Sequence, residues 1–447
     1  MRILLVLAGD NTYTYGKLRH NRAFYAPLTL TALAGLVPRE LDPEITLVDE
    51  GVQQLPPEDS AFDVVGISCA VSAAPRAYAL ARSYRARGAF VVLGGPHPTA
   101  LPEEAAEHAD AVVAGPAERA WPALLRQVAS GDRPRGILRE PARAMEGRVA
   151  LPRRDLLPSR RYLTTGTVQA SRGCGNRCAF CSICSAWEHQ AVTRPVGDVV
   201  DEIRAMRRAS IVFLDPNLLG DRAYAKELLT ALAPLRVRWR GPATIDIADD
   251  PELLQLAVRS GCTGLLFGLE TNNDANLKDV GKGFNQASRY REIISTLHEC
   301  RIQVLGCFVL GFDHDTLESL NALPDFIDEI GVDVTRLALL TPFPGTKLFD
   351  RLDSEGRILT RDWRLYDTEH VVFQPGNLVP EDLLRCYHQT WDEVYRLTRV
   401  GRRAWRRSLG SGPLEGIANL VVNTAFKIHF PTSKYNGSTT SSPRARD

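Results

Sequence analysis

The sequence predicts an α/β protein made of two successive strand–helix alternations and a helical extension. Three observations carry this reading. Short apolar runs alternate with helical segments from Arg2 to Val128, and a second alternation runs from Thr167 to Leu340. The stretch between them, 131–163, is rich in Pro and Arg and has no hydrophobic period. With 447 residues, two or three domains are expected. Domains are accordingly placed at 1–130, 164–352 and 353–436, with a linker at 131–163 and a disordered Ser/Thr-rich tail at 437–447.

In the first alternation, residues 2–8 (RILLVLA), 45–50, 63–68, 90–95 and 109–115 have the length and apolarity of buried strands. Helical spacing fits 27–37, 75–87 and 118–128 between and after them. The order predicts a doubly wound parallel sheet of Rossmann or flavodoxin type. In the second alternation, strands are expected at 167–171, 211–214, 243–247, 264–269, 303–310 and 334–340. The intervening helices fall at 197–208, 221–233, 250–260, 285–299 and 315–330. Six units are too few for a closed eight-fold barrel, so a partial (β/α)6 TIM-like barrel is expected, with ligands at the C-terminal strand ends. Residues 380–407 read as one long Arg-rich helical stretch.

Composition narrows the function. Hydrophobic residues make up 44% and charged residues 24%, as in soluble globular proteins, and the formal net charge is +1. No global field invites nucleic acid. MRILLVLAGD reads as a first strand rather than a signal peptide, and no run is long enough to span a membrane. Four of the nine cysteines crowd together at Cys174, Cys178, Cys181 and Cys184. Clustered thiols in a long chain without a signal peptide suggest a reduced, cytoplasmic compartment and a metal site.

Cys174, Cys178 and Cys181 have the spacing C-x3-C-x2-C and directly follow the first strand of the second alternation. Three thiolates on one loop can hold three irons of a [4Fe–4S] cluster and leave the fourth open. Two other readings stand beside it: a zinc site completed by Cys184, and plain buried cysteines. With Phe180 just before the third cysteine, the segment resembles the cluster motif of the radical SAM superfamily. The resemblance implies that the open iron takes S-adenosylmethionine and that its reductive cleavage gives a 5′-deoxyadenosyl radical.

The resemblance continues along residues 167–352. IVFLDPNLLGD (211–221) resembles the strand passing under the methionine part, with Asp215 and Asn217 as polar contacts. GLLFGLETNN (264–273) resembles the segment whose acid meets the ribose, which implies Glu270. VGKGF (280–284) resembles the basic motif that follows, which implies Lys282 on the methionine carboxylate. FVLGFDHDT (308–316) and TPFPGTKLF (341–349) resemble the turn near the adenine and the end of the core. Taken alone, an acid at a strand end is usually a cap or an ion-pair partner, and a lysine is usually solvated.

In the first domain, Ser68 and the pair Gly94–Gly95 end adjacent strands, where a doubly wound sheet binds ligands. VLGGPHPTALPEEA followed by ADAVVAGPAE resembles the cobalamin-binding domains fused to radical SAM enzymes. That implies a slot for the nucleotide tail of cobalamin at Ser68, Gly94 and Gly95. The cobalt-ligating pattern D-x-H-x-x-G is missing: Asp10 is followed by Asn11 and Thr12, and His20 has the wrong spacing. His97, between two prolines, reads as a structural histidine.

The whole pattern resembles a class B radical SAM enzyme with an N-terminal cobalamin-binding domain. It implies methylation of an unactivated carbon of a small-molecule or lipid-like substrate, with flavodoxin or ferredoxin as reductant. A radical cyclase or rearrangement enzyme without methyl transfer and a non-catalytic sensor or carrier are the alternatives. Trp363, Tyr366 and His370 could close the barrel mouth or simply pack as a lid. GIANLVVNTAFKIHF (416–430) reads as core packing, with peripheral membrane contact as its other reading.

Overall fold

A computed structural model describes residues 1–9, 23–142 and 150–429, without the side chains of Cys184, Ser185 and His429. The first unit runs β1 (Arg2–Leu7), β2 (Ala23–Tyr25), α1 (Leu28–Gly35), β3 (Glu44–Asp49), β4 (Val64–Ser68) and α2 (Ala74–Ala86). It continues through β5 (Phe90–Gly94), α3 (Pro96–Ala100), α4 (Pro102–Ala106), β6 (Ala111–Ala114), α5 (Ala120–Ala129) and β7 (Gly136–Arg139). Six of these strands form one parallel sheet in the order β3-β1-β4-β5-β6-β7. Apolar clusters cover both faces, one around Trp121 and Leu30 and the other around Tyr78 and Tyr84. This is the doubly wound sheet the sequence predicts.

The expected linker is partly structure. β7 lies inside 131–163 and adds a sixth strand, because Gly136–Arg139 pairs along the whole length of β6. The chain then returns to the first unit before it enters the second. β8 (Tyr162–Thr164) pairs with β2, and the Tyr162 hydroxyl donates to Asp49 at 3.0 Å.

The second unit holds β9 (Thr167–Val168), β10 (Ser171–Gly173), α6 (Ser182–Ala186), β11 (Ala191–Thr193), α7 (Val196–Met206), β12 (Ser210–Phe213), α8 (Arg222–Leu232) and β13 (Arg238–Ala243). It continues with α9 (Pro251–Arg259), β14 (Cys262–Glu270), α10 (Asp274–Asp279), α11 (Tyr290–Glu299), β15 (Gln303–Leu310), α12 (Leu317–Ile330), β16 (Val334–Leu339) and α13 (Lys347–Ser354). Its sheet is parallel in the order β16-β15-β14-β13-β12-β9, a partial barrel of six strands. Along β15, buried residues alternate with half-buried ones. The buried set packs under the helices in the main core.

One strand differs from expectation. Residues 243–247 do not continue as a strand: the strand is Arg238–Ala243, and Ile245–Asp249 is a 3-10 turn. Trp239 is fully buried within the strand while Arg238 and Arg240 stay exposed, so the arginines hide the alternation from a search for apolar runs. The long C-terminal helix is likewise two, α14 (Pro380–Val394) and α15 (Leu397–Ser411), followed by α16 (Pro413–His429). The break falls where buried Tyr395 donates its hydroxyl to the Thr335 carbonyl and Arg396 turns extended. The 437–447 tail lies outside the described residues.

Gly115 tests this account of the first sheet. It follows β6 with φ +101°, and a Cβ there would strike the Glu140 carbonyl after β7. Gly115→Ala should cost about 1–3 kcal/mol, read as a lower thermal midpoint of the whole chain.

Candidate active site

The cysteine loop has little secondary structure of its own and is held from two sides. The Ala179 amide donates to the Val280 carbonyl at 2.9 Å, and the Ala179 carbonyl accepts from the Leu348 amide at 2.9 Å. Phe180 packs edge-on against Phe312, 6.0 Å between centroids, in a cluster with Val280, Leu340, Leu348 and Phe373. The motif phenylalanine is therefore a packing anchor for the loop. Cys178 is buried, whereas Cys174 and Cys181 are half-buried. Burial pushes the Cys178 thiol up to about 11, and the Lys282 ammonium nearby pulls the other way. Among the described residues, no three His, Cys, Asp or Glu side chains are placed to hold a single metal ion. The Cys184 side chain lies outside the description.

Glu270 and Lys282 meet as a buried ion pair. Glu270 ends β14 with φ +67°, a conformation costly for a residue with a side chain, and the pairing with β15 shifts register between Gly268 and Glu270. The neighbours explain why this twist holds. The Tyr290 hydroxyl donates to the Leu269 carbonyl at 2.7 Å, and Asn285 Nδ2 donates to the Gly268 carbonyl at 2.9 Å. A Cβ on Gly268 would land on both the Glu270 carboxylate and the Lys282 ammonium, so only glycine leaves room for the pair. Burial opposes the charge on Lys282, yet Glu270 more than offsets it and keeps the ammonium above its ordinary range.

Asp215, which the resemblance implies as a polar contact under the methionine part, is engaged by groups of the protein itself. It is buried, and its carboxylate accepts from the Ala170 amide at 3.1 Å, from the Ser171 amide, and from Ser171 Oγ at 2.7 Å. Burial raises its pKa to about 6, against those donors. It ties the end of β12 to the backbone that launches the cysteine loop. Asn217 keeps a buried Oδ1 without a hydrogen-bond partner among the described residues, so it retains acceptor capacity. Asp315 behaves like Asp215, accepting from the Gly311 and Phe312 amides and fixing the turn that carries Phe312.

At the top of the first sheet, Ser68 and Gly94 are register partners and Ser68 is buried. Gly95 has φ +98°, and a Cβ there would press on Ser68 Oγ and the Cys69 backbone. Gly94 thus presents no side chain at the strand end, and Gly95 lets the chain press close to Ser68 and Cys69. His97, in α3, is fully buried. Its Nε2 lies 2.8 Å from the Tyr78 hydroxyl and 3.2 Å from Glu104. Glu104 also accepts from Trp363 Nε1 at 3.0 Å. His97 and Trp363 are structural: they join the first unit to the C-terminal extension. Tyr366 is buried and donates to the Thr360 carbonyl, and His370 contacts Asp367 at 3.0 Å, so this segment packs as a lid. The segment 10–22, where a cobalt-ligating histidine would stand and where His20 lies, is outside the described residues.

The two strand-end sites adjoin. α3, which follows Gly94–Gly95, packs against α6, which follows Cys181. Ala100 of α3 also approaches Gly345, in the turn before Leu348, whose amide holds the Ala179 carbonyl. An ion pair between Arg172, next to the cysteine loop, and Glu118 ties the same faces together. Sequence reasoning missed Gly268, Asn285, Tyr290, Gly345 and this ion pair. A glycine interrupting the alternation of β14 was the one available signal.

Comparison with known proteins agrees with this geometry. Residues 50–125 match the B12 binding domain family and residues 168–327 the Radical SAM superfamily. The chain is 32% identical over 396 residues to bacteriochlorophyllide d C-12(1)-methyltransferase of Chlorobaculum tepidum, covering 84% of each chain. It is 27% identical over 399 residues to hopanoid C-2 methylase of Rhodopseudomonas palustris, covering 83% of this chain and 74% of that one. In fold it resembles the radical S-adenosylmethionine methyltransferase TsrM from Kitasatospora setae with cobalamin and [4Fe-4S] cluster bound. The TM-score is 0.64 at 16% identity, covering 89% of this chain and 88% of that one. Joined to the thiol loop and the glycine-edged sheet that face each other here, these matches place the chain in the radical SAM superfamily, in its cobalamin-dependent branch of enzymes.

Proposed function

We propose that this enzyme methylates an unactivated carbon of a large, mainly apolar small molecule held between the barrel mouth and the first sheet. The observation that carries the proposal is the packing of α3 on α6, which sets the Ser68–Gly95 edge beside the cysteine loop. When bound, the cluster with S-adenosylmethionine supplies a 5′-deoxyadenosyl radical, and cobalamin supplies a transferable methyl group.

The protein's own residues bind and orient these groups. Cys174, Cys178 and Cys181 hold the cluster as thiolates. Glu270 accepts hydrogen bonds from the ribose hydroxyls, and Lys282 donates to the methionine carboxylate; ligand binding draws the buried pair apart and gives each charge a new partner. Asn217 offers its buried Oδ1 to the amine end. Ser68, Gly94 and Gly95 line the slot for the cobalamin tail. Half-buried Leu266, Leu305, Val309 and Ala338 alternate with the core-packed set on β14, β15 and β16, on faces that also carry Cys307 and Arg336. A mainly apolar wall of this kind would take compounds such as the bacteriochlorophyllide and hopanoid named for the relatives. A small low-potential electron-transfer protein, flavodoxin or ferredoxin, supplies the electron in a reduced cytoplasmic compartment.

Three outcomes are expected. Cys174→Ala, Cys178→Ala and Cys181→Ala each lose iron and S-adenosylmethionine cleavage, while Cys184→Ala keeps both; equal iron loss in Cys184→Ala would reassign the ligands. Glu270→Gln keeps its iron but binds S-adenosylmethionine roughly ten- to a hundredfold more weakly by equilibrium dialysis, the loss of one charge-assisted hydrogen bond. With methyl-labelled S-adenosylmethionine, a strong reductant and a chlorin or polycyclic triterpene, the holoenzyme forms S-adenosylhomocysteine and 5′-deoxyadenosine in equal amounts and labels the substrate. 5′-Deoxyadenosine without S-adenosylhomocysteine would instead identify a cyclase or rearrangement enzyme.

A further inference from the structure

The two C-terminal helices bury several polar side chains and expose several large apolar ones. α15 buries Val400, Ala404 and two arginines, Arg403 and Arg407, and exposes Leu397, Trp405 and Leu409. α16 buries Asn419 and Asn423 completely and exposes Leu414, Ile417, Val421 and Ile428. The exposed residues are not isolated. In α16 they recur at 414, 417, 421 and 428 as one outward stripe; in α15 Trp405 and Leu409 lie one turn apart, and Leu397 lies about two turns before them across exposed Gly401 and Arg402. Exposure reaches 67% at Trp405 and 82% at Leu414.

The inward polar face is accounted for. Asn419 and Asn423 both donate to the Asp333 carbonyl, at 3.1 and 3.0 Å. Arg407 donates to the Arg301 carbonyl at 2.9 Å, and Arg403 donates to the Val394 carbonyl while lying over the Tyr395 ring. These carbonyls precede β15 and β16 or end α14, so the hairpin seals the barrel end opposite the cysteine loop. Gly416 lets the helices touch, since a Cβ there would overlap Ser408. Polar contacts, together with Val400 and Phe426 packed into the main core, hold the hairpin in place, and a second apolar set faces outward.

We infer that this face is an interfacial anchor for an anionic phospholipid bilayer. Charge decides between occupants. Within residues 397–429 the only acid is Glu415, which is half-buried. Arg402 is largely exposed and ion-pairs at 3.6 Å with Asp328, an acid it shares with Arg399; Lys427 is exposed as well. Arg399 is taken up by Asp325 and Asp328 on α12. A second copy docking through the same face would set these cations against their own images. Anionic headgroups neutralise them, and their stems and the Trp405 ring suit the headgroup boundary. No helix among the described residues is long and apolar enough to cross a membrane, so the hairpin lies in the plane of the interface. The inference is independent of the substrate reading above.

The test is flotation of the reconstituted full-length protein with vesicles of phosphatidylcholine alone or mixed with phosphatidylglycerol. Salt-sensitive flotation with the mixed vesicles is expected. The triple variant Trp405→Ala, Leu409→Ser, Val421→Ser should bind them at least about tenfold more weakly, at unchanged iron content. Quenching of tryptophan fluorescence by brominated lipid, reduced in Trp405→Phe, gives a readout that does not depend on the triple variant folding. No flotation, equal flotation with both vesicle types, or an unaffected triple variant would overturn the inference. So would a dimer in light scattering that dissociates in the triple variant while wild type ignores vesicles; the occupant would then be a second copy.

Discussion

A carboxylate and an ammonium buried side by side repay their desolvation only when their geometry is fixed by everything around them. Glu270 and Lys282 are held that way. The strand end carrying Glu270 is forced to φ +67°, Gly268 leaves no side chain in the way, and Tyr290 and Asn285 fasten the two carbonyls before it, those of Leu269 and Gly268. Removing one partner from such a pair typically costs about 3–5 kcal/mol. The segment carrying Lys282 also supports the cysteine loop, through the Val280 carbonyl. A zwitterionic ligand that takes over the two charges would therefore act on the same short stretch of backbone that positions the thiols.

The second constraint is the contact between the two units. Parallel sheets place their binding edges at C-terminal strand ends, and two such edges cooperate only if they face each other. The returning chain at β8, the Arg172–Glu118 pair, the Glu104–Trp363 hydrogen bond and the α3–α6 packing all act toward that end. The C-terminal extension contributes twice. Its lid segment locks onto the first unit through Trp363, and its last two helices close the far end of the barrel. The open end of the barrel is left to chemistry and the closed end presents an apolar surface.

Much of this was legible in the sequence because it depends on local pattern. The strands of both sheets follow from apolar runs, and the thiol loop follows from cysteine spacing at a strand end. What sequence hid was of another kind. β7 is a short, weakly apolar strand whose pairing is decided by β6, far from any local signal. Arginines at 238 and 240 disguised a strand whose buried face is Trp239 and Gly241. Asp215 reads as a methionine-side contact from its motif; that its carboxylate also accepts from the Ala170 and Ser171 amides is visible only in three dimensions. The outward stripe of the C-terminal hairpin reads as core in one dimension, since periodicity gives an apolar face without saying which way it points.

The central claim is that the glycine-edged sheet and the thiol loop form one site that loads two metal cofactors. Counting iron and cobalt per chain after anaerobic reconstitution with hydroxocobalamin tests it most directly. About four irons and one cobalt per chain are predicted. Four irons without retained cobalt would contradict it and reduce the first sheet to a packing partner of the barrel.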